Sequence, residues 1–205
     1  MRGLIFLFVL VSTVACTQKP SDKSQQTKAA ADSTNMAAST RHEAAIAPEV
    51  NPPGDIPDTQ AFVKYQSVAG GFQLEVPESW ARTENGPVSS FVDKFNGVAV
   101  AITSARAAPT VISARANEAP GIVSSGHAVT ITDVSAETLP GGSAIRIRYT
   151  SNSDPNAVTN KRLRLENEAI LLFKNGKEAR LTLWAPLGAD NVDQWNRISK
   201  SFRWL

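Results

Sequence analysis

From about position 58 onward the chain alternates apolar and polar residues with the two-residue period of a β-strand, interrupted at short intervals by turn-forming pairs. Phe62 to Ser67 and Phe72-Gln73-Leu74-Glu75-Val76 read as two strands separated by Gly70-Gly71, and Trp80, three residues beyond Pro77, supplies a large plug for the end of a core. The Asn-Gly pairs at 96–97 and 175–176 suggest registers. A two-residue turn at Asn96-Gly97 places Phe91 and Phe95 on the face of Val98, Val100 and Ile102. At Lys174-Asn175-Gly176 the same turn would set Leu171 and Phe173 against Arg180 and Glu178. A three-residue loop with Gly176 left-handed aligns them instead with Ala179, Leu181 and Leu183, and is the expectation. The stretch from Arg162 to Phe173 then carries Leu163, Leu165, Ala169, Leu171 and Phe173 on one face. They lie opposite Ile145, Ile147 and Tyr149 of a strand that Gly141-Gly142 joins to another at about Ala128 to Leu139.

Helical spacing is rarer. Val192, Trp195, Ile198 and Phe202 recur with the period of a helix over Asn191 to Phe202, with Asp190 as its expected N-cap. Thr110 to Glu118 is a second candidate, expected to stop at Ala119-Pro120-Gly121. These elements predict an α+β domain over 58–205: a central antiparallel sheet of about six strands with helices packed on it.

Before position 58 the pattern is different. Met1-Arg2-Gly3 gives a short positive start, Leu4 to Val11 is an unbroken apolar run, and Ser12-Thr13-Val14-Ala15 brings small residues up to Cys16. This is the layout of a signal peptide over 1–15, too short in its apolar part to be read as a membrane-spanning helix. Thr13-Val14-Ala15-Cys16 resembles the lipobox of bacterial lipoproteins, with Thr13 where such boxes most often carry Leu. The resemblance implies acyl chains on Cys16, enough for stable membrane anchoring. It also implies a cell-envelope location, on the periplasmic face of the outer membrane if the host has two membranes. Residues 16–57 are then expected to be the lipidated Cys and a disordered tether rich in Ala, Ser, Thr and Pro, with a reach on the order of 35 Å. His42 falls within that tether.

Within 58–205, three features resemble the PsbP-like domains: Tyr65 to Trp80, read as Tyr-x-x-x-x-Gly-Gly-Phe-x-Leu-x-Val-Pro-x-x-Trp; a Phe-rich hairpin; and a closing Trp195-x-x-Ile198-x-x-Ser201-Phe202. That family includes an extrinsic subunit of photosystem II, a nuclear-import factor that binds a small GTPase, and many bacterial lipoproteins. The resemblance implies an α/β sandwich and mostly non-catalytic docking onto larger complexes. Metal-binding members use His and carboxylates, and the resemblance carries no such ligand set over to numbered residues of this chain.

Composition narrows the chemistry. The 205 residues are 42% apolar and 20% charged with a net charge of +2, so neither an acidic disordered chain nor a nucleic-acid binder with a large basic excess is indicated. One Cys and two His leave no internal disulfide and no zinc site built from several Cys, and no cofactor or metal is expected. A Ser-His-Asp set would have to gather around His127, with Ser124 or Ser125 and Asp133. Asp154-Pro155-Asn156 could offer two oxygen ligands to Ca²⁺, but lacks the spacing of a calcium loop and reads as a polar turn. Gly70-Gly71 and Gly141-Gly142 likewise read as turns.

One basic constellation remains. Arg146 and Arg148 alternate with core Ile residues, Arg162 and Arg164 with core Leu residues, and adjacent antiparallel strands would bring all four guanidinium groups to one face. Such a stripe can grip carboxylates or phosphates on a partner or a lipid headgroup. Equally, it can be a solvated ladder neutralised by Glu166, Glu168 and Glu178. The sequence as a whole points to a non-enzymatic, membrane-anchored envelope lipoprotein that acts as an interaction or assembly module with an envelope protein partner. The alternative is a carrier or sensor of a small anionic or lipidic ligand, held on the Arg face or in a crevice between sheet and helix.

Overall fold

The computed structural model describes residues 43–205, so the expected signal peptide, Cys16 and His42 lie outside the described residues. The expected α+β class with a large antiparallel sheet and helices packed on it holds; among the described residues ten strands form two sheets, of three and seven strands, where one of about six was expected. β1 (Phe62–Ser67), β2 (Phe72–Pro77) and β10 (Arg203–Trp204) make a small sheet in the order β1-β2-β10. The large sheet is antiparallel throughout, in the order β3 (Ala81–Asn85), β4 (Val88–Asp93), β5 (Asn96–Ser104), β9 (Lys177–Pro186), β8 (Arg164–Lys174), β7 (Gly142–Asn152), β6 (His127–Leu139). α3 (Val192–Ser201) runs directly into β10, which ties the helix to the small sheet.

The large sheet has apolar clusters on both faces. On one face Phe91, Val98, Val100, Ile170, Leu172, Leu181 and Leu183 meet Tyr65, Phe72 and Leu74 of the small sheet and Trp195, Ile198 and Phe202 at the α3 end. Phe72 and Phe202 stack with centroids 5.8 Å apart, and Tyr65 meets Phe91 edge-on at 4.8 Å. On the other face Val134, Ile145, Ile147, Ala169 and Leu171 take Ala114 and Ile122 from a helical segment. That segment comprises α1 (Val111–Ser113), a π-helical turn (Ala114–Glu118) and α2 (Ala119–Ser125). Pro120 was expected to end the helix, yet helical structure continues past it to Ser125. The Ala119 N–H reaches back to the Ala114 carbonyl through the π turn, and Pro120, which has no N–H to offer, stands in the first turn of α2.

Double-sided burial also corrects two hairpins. β8 and β9 join through a two-residue turn at Asn175-Gly176, both left-handed (φ 50° and 76°), so Leu171 does pair with Arg180 and Phe173 with Glu178. Leu171 belongs to the helix-side core and Leu172 to the other, and Arg180 lies across from Leu171 in an ion pair with Glu118 of the π turn. The β4–β5 hairpin turns at Lys94-Phe95, with Lys94 left-handed at φ 50°, and not at Asn96-Gly97. Phe91 still faces Val98, but Phe95 sits exposed at the turn. The pairings of Ile145 with Leu171 and Ile147 with Ala169 stand as expected.

Residues 43–57, expected as the end of a free tether, lie against the domain. The Asn191 Oδ1 accepts the Ile56 N–H at 2.6 Å, and the Gly54 carbonyl accepts from both Asn96 Nδ2 (2.7 Å) and Asn191 Nδ2 (3.0 Å). Ile56 is buried, and the Asp55 carboxylate accepts the Asp190 N–H at 2.9 Å. Asp190 is therefore occupied by this strap, and the residue at the N-terminus of α3 is Asn191, whose side chain also serves the strap and does not cap the helix. Val192, expected on the buried stripe of the helix, is exposed. Because Asn191 is buried, Asn191→Ala leaves the Ile56 N–H without its acceptor and the Gly54 carbonyl with Asn96 alone. We expect a loss of about 1–2 kcal/mol in chemical denaturation, with new protease cleavage confined to residues 43–57.

Candidate functional site

The alternation of β7 and β8 does bring Arg146, Arg148 and Arg164 to one face of the sheet: Arg146 pairs with Ile170, Arg148 with Glu168 and Arg164 with Asn152. Arg162 precedes β8 and reaches Glu43 of the strap at 2.7 Å. The face is not an open anion grip. Arg146 is only 4% exposed and is held by Glu137 of β6, through Nε and Nη2 at 3.0 Å each, and by Glu168. Arg148, with a side chain 49% exposed, donates from Nε to Glu168 at 2.9 Å and from Nη1 to Asp133 at 3.3 Å. Arg164 is 6% exposed, donates to the Ala128 carbonyl, Asn152 Oδ1 and Thr150 Oγ1, and burial lowers its pKa.

The neutralising carboxylates also differ from those expected. Glu168 takes part, but Asp133 and Glu137 come from the edge strand β6, while Glu178 lies on β9 opposite Phe173. Asp133, Ser135 and Glu137 alternate along β6 beside Arg148, Arg146 and Ala144. That two-residue spacing was the sequence signal for them; it becomes informative only once β6 and β7 are put in register.

Glu166 is different. No Lys, Arg or His among the described residues comes within ion-pair distance of its carboxylate, which accepts the Gly188 N–H. Burial raises its pKa; the Gly188 N–H opposes that shift, and the neighbouring Glu168 carboxylate adds to it. Glu166 lines a crevice of about 450 Å³ between β7–β8 and α3, together with Thr132, Arg148, Thr150, Trp195 and Asn196. The size suits a small ligand. Trp195, which periodicity assigned to the core, is 8% exposed and contributes both to the core and to this wall.

This fold is similar to that of PsbP. The solution structure of cyanobacterial PsbP from Synechocystis is similar over 75% of this chain and 99% of that one, at 13% identity and a TM-score of 0.46. The Ran-binding protein Mog1p of Saccharomyces cerevisiae is similar over 71% of this chain and 96% of its own, at 8% identity and a TM-score of 0.47. LpqN of Mycobacterium tuberculosis, involved in cell envelope biogenesis, is similar over 77% and 88%, at 18% identity and a TM-score of 0.38. These likenesses concern the fold alone. No protein-family profile matches the sequence, and no curated protein matches it.

On the opposite face a second depression of about 490 Å³ is walled by Tyr149, Asn167, Trp184, Ser125 and His127. His127 does not assemble with Ser and Asp there. Its Nδ1 meets Glu43 at 2.8 Å and its Nε2 meets Asp154 at 3.2 Å, while the Ser124 and Ser125 hydroxyls donate to helix carbonyls and Asp133 serves Ser135 and Arg148. Asn156 Oδ1 accepts the N–H groups of Val158 and Thr159, which makes the loop after β7 a self-satisfied turn. Glu43 also accepts from Asn152 Nδ2; this hydrogen bond, opposed by burial and reinforced by the hydrogen bond with His127 and the charge of Arg162, lowers its pKa.

Proposed function

We propose that the chain is a non-catalytic, membrane-anchored binding protein of a bacterial cell envelope that captures a small ligand in the crevice between β7–β8 and α3. The supporting observation is the crevice itself. It is a concave site of ligand size with an indole on one wall and a carboxylate that lacks a cationic partner among the described residues. Anchoring rests on Cys16, the only thiol in the chain. Cys16→Ser is expected to leave an unprocessed or released protein, read as loss of the acylated mass and of the membrane-pelleted fraction. A processed Ser variant that still pellets firmly with membranes would refute the anchor.

A second reading, assembly into a larger complex, is favoured by the outward face of the β3–β4 hairpin. There Val88 and Val92 alternate with buried Ser89 and Phe91 and stand exposed, and β3 is exposed along all five residues. Native mass spectrometry of the full chain in a nonionic detergent separates the two readings. A co-purifying small molecule is the expected result; a stoichiometric protein partner with an empty chain supports assembly instead.

A further inference from the structure

We infer that the crevice selects an organic cation, a small molecule bearing an alkylammonium or guanidinium group, with Glu166 as its counter-ion and Trp195 as its apolar wall. The inference rests on the crevice being the binding site. The charge balance of the face carries it. Among the described residues three guanidinium groups (Arg146, Arg148 and Arg164) stand against four carboxylates (Asp133, Glu137, Glu166 and Glu168), so this face carries one more carboxylate than it has guanidinium groups.

Glu166 is the carboxylate left over. Arg146 is divided between Glu137 and Glu168, and Arg148 between Glu168 and Asp133. Arg164 spends its donors on the Ala128 carbonyl, Thr150 Oγ1 and Asn152 Oδ1. An anion entering the crevice would find one guanidinium already shared by two carboxylates. It would also stand beside Glu166 and Glu168, an arrangement of like charges in a partly desolvated space. A cation finds the reverse. Glu166 offers lone pairs not taken by Gly188, and the Trp195 indole supplies an aromatic surface that attracts cations and covers an alkyl stem.

The test uses a charge series of constant size: n-butylammonium, n-butanol and butyrate, titrated into the ¹⁵N-labelled full chain in nonionic detergent while backbone amide shifts are followed. Butylammonium is expected to shift the amides of Glu166, Asn167, Val192 and Trp195, with an affinity at least tenfold above that of butyrate. Glu166→Gln is expected to abolish that preference. The same variant should melt higher than the parent at neutral pH, because burial holds the folded-state pKa of Glu166 above its unfolded value. Its carboxylate therefore costs stability that is recovered as pH falls through the folded pKa toward the unfolded one, and the difference between parent and variant should shrink on acidification. A folded variant that keeps the preference for butylammonium overturns the inference. Crevice shifts that are as strong with butyrate or butanol overturn the choice of a cation and leave the crevice as a binding site. If none of the three probes shifts these amides, the inference is overturned, and the co-purification measurement then judges the crevice on its own.

Discussion

Arg146→Met is expected to destabilise the fold by about 3–5 kcal/mol in chemical denaturation, because it leaves Glu137 without its ion-pair partner and Glu168 with Arg148 alone in a largely buried setting. The three stripe arginines should rank by burial and not by charge. Arg164→Met removes the donor to one main-chain and two side-chain oxygens, and we expect a smaller loss of about 1–3 kcal/mol. Arg148→Gln, at the half-exposed end, should cost less than about 1 kcal/mol. Adding Glu137→Gln to Arg146→Met should recover part of the loss, since Glu137 has no other cationic partner among the described residues and the double variant carries an amide there and not an unpaired carboxylate. Three equal losses below about 1 kcal/mol would mean that the guanidinium groups are solvated and that the face is open.

The second large effect is at Gly97, where β5 passes beneath the indole of Trp184, its cross-strand neighbour. A Cβ at this position would overlap the indole ring, so the strand tolerates only glycine while Trp184 keeps its place. Gly97→Ala is expected to lose about 2–3 kcal/mol, and Gly97→Val more. Combining Gly97→Ala with Trp184→Ala should recover stability relative to the sum of the two single changes, because the added Cβ meets no ring once the indole is gone. Strict additivity in that cycle would show that the indole does not lie on Gly97.

Gly97 also shows where the sequence was legible and where it was not. Its pairing with Asn96 signals a turn, yet Asn96 is buried and spends its amide on the strap at Gly54, and Gly97 is a strand residue cleared for an indole. The dipeptide carries the same local preference in either role, and only the tertiary contact with Trp184 and residues 43–57 decides between them. At Asn175-Gly176 the local signal was sound. The expectation failed because it assumed one buried face, whereas β8 is buried on both faces and so gives no alternation from which to fix a register. β1, β2 and α3 were readable within a residue or two, since in each a buried face alternates with one that is exposed or half-buried.

The candidate site was legible in half. Alternating Arg and Ile on β7 correctly placed Arg146 and Arg148 on one face with Arg164. Their meaning depended on which acids came opposite, and β6 is brought alongside by a hairpin whose bulges between His127 and Asp133 no local pattern foretells. The strap was missed for a related reason. Its hold on the domain lies in one buried Ile56 and in polar contacts from Asn96, Asn191, Asn152 and Arg162, none of which alters the composition that made residues 43–57 look like coil.

The most direct measurement is a crystal structure of the chain purified without refolding from cells that make it. Density for a bound organic molecule is expected between the Glu166 carboxylate and the Trp195 indole, with Arg146 still closed between Glu137 and Glu168. A crevice holding only ordered water, with a ligand or partner seated on the guanidinium groups themselves, would contradict this reading.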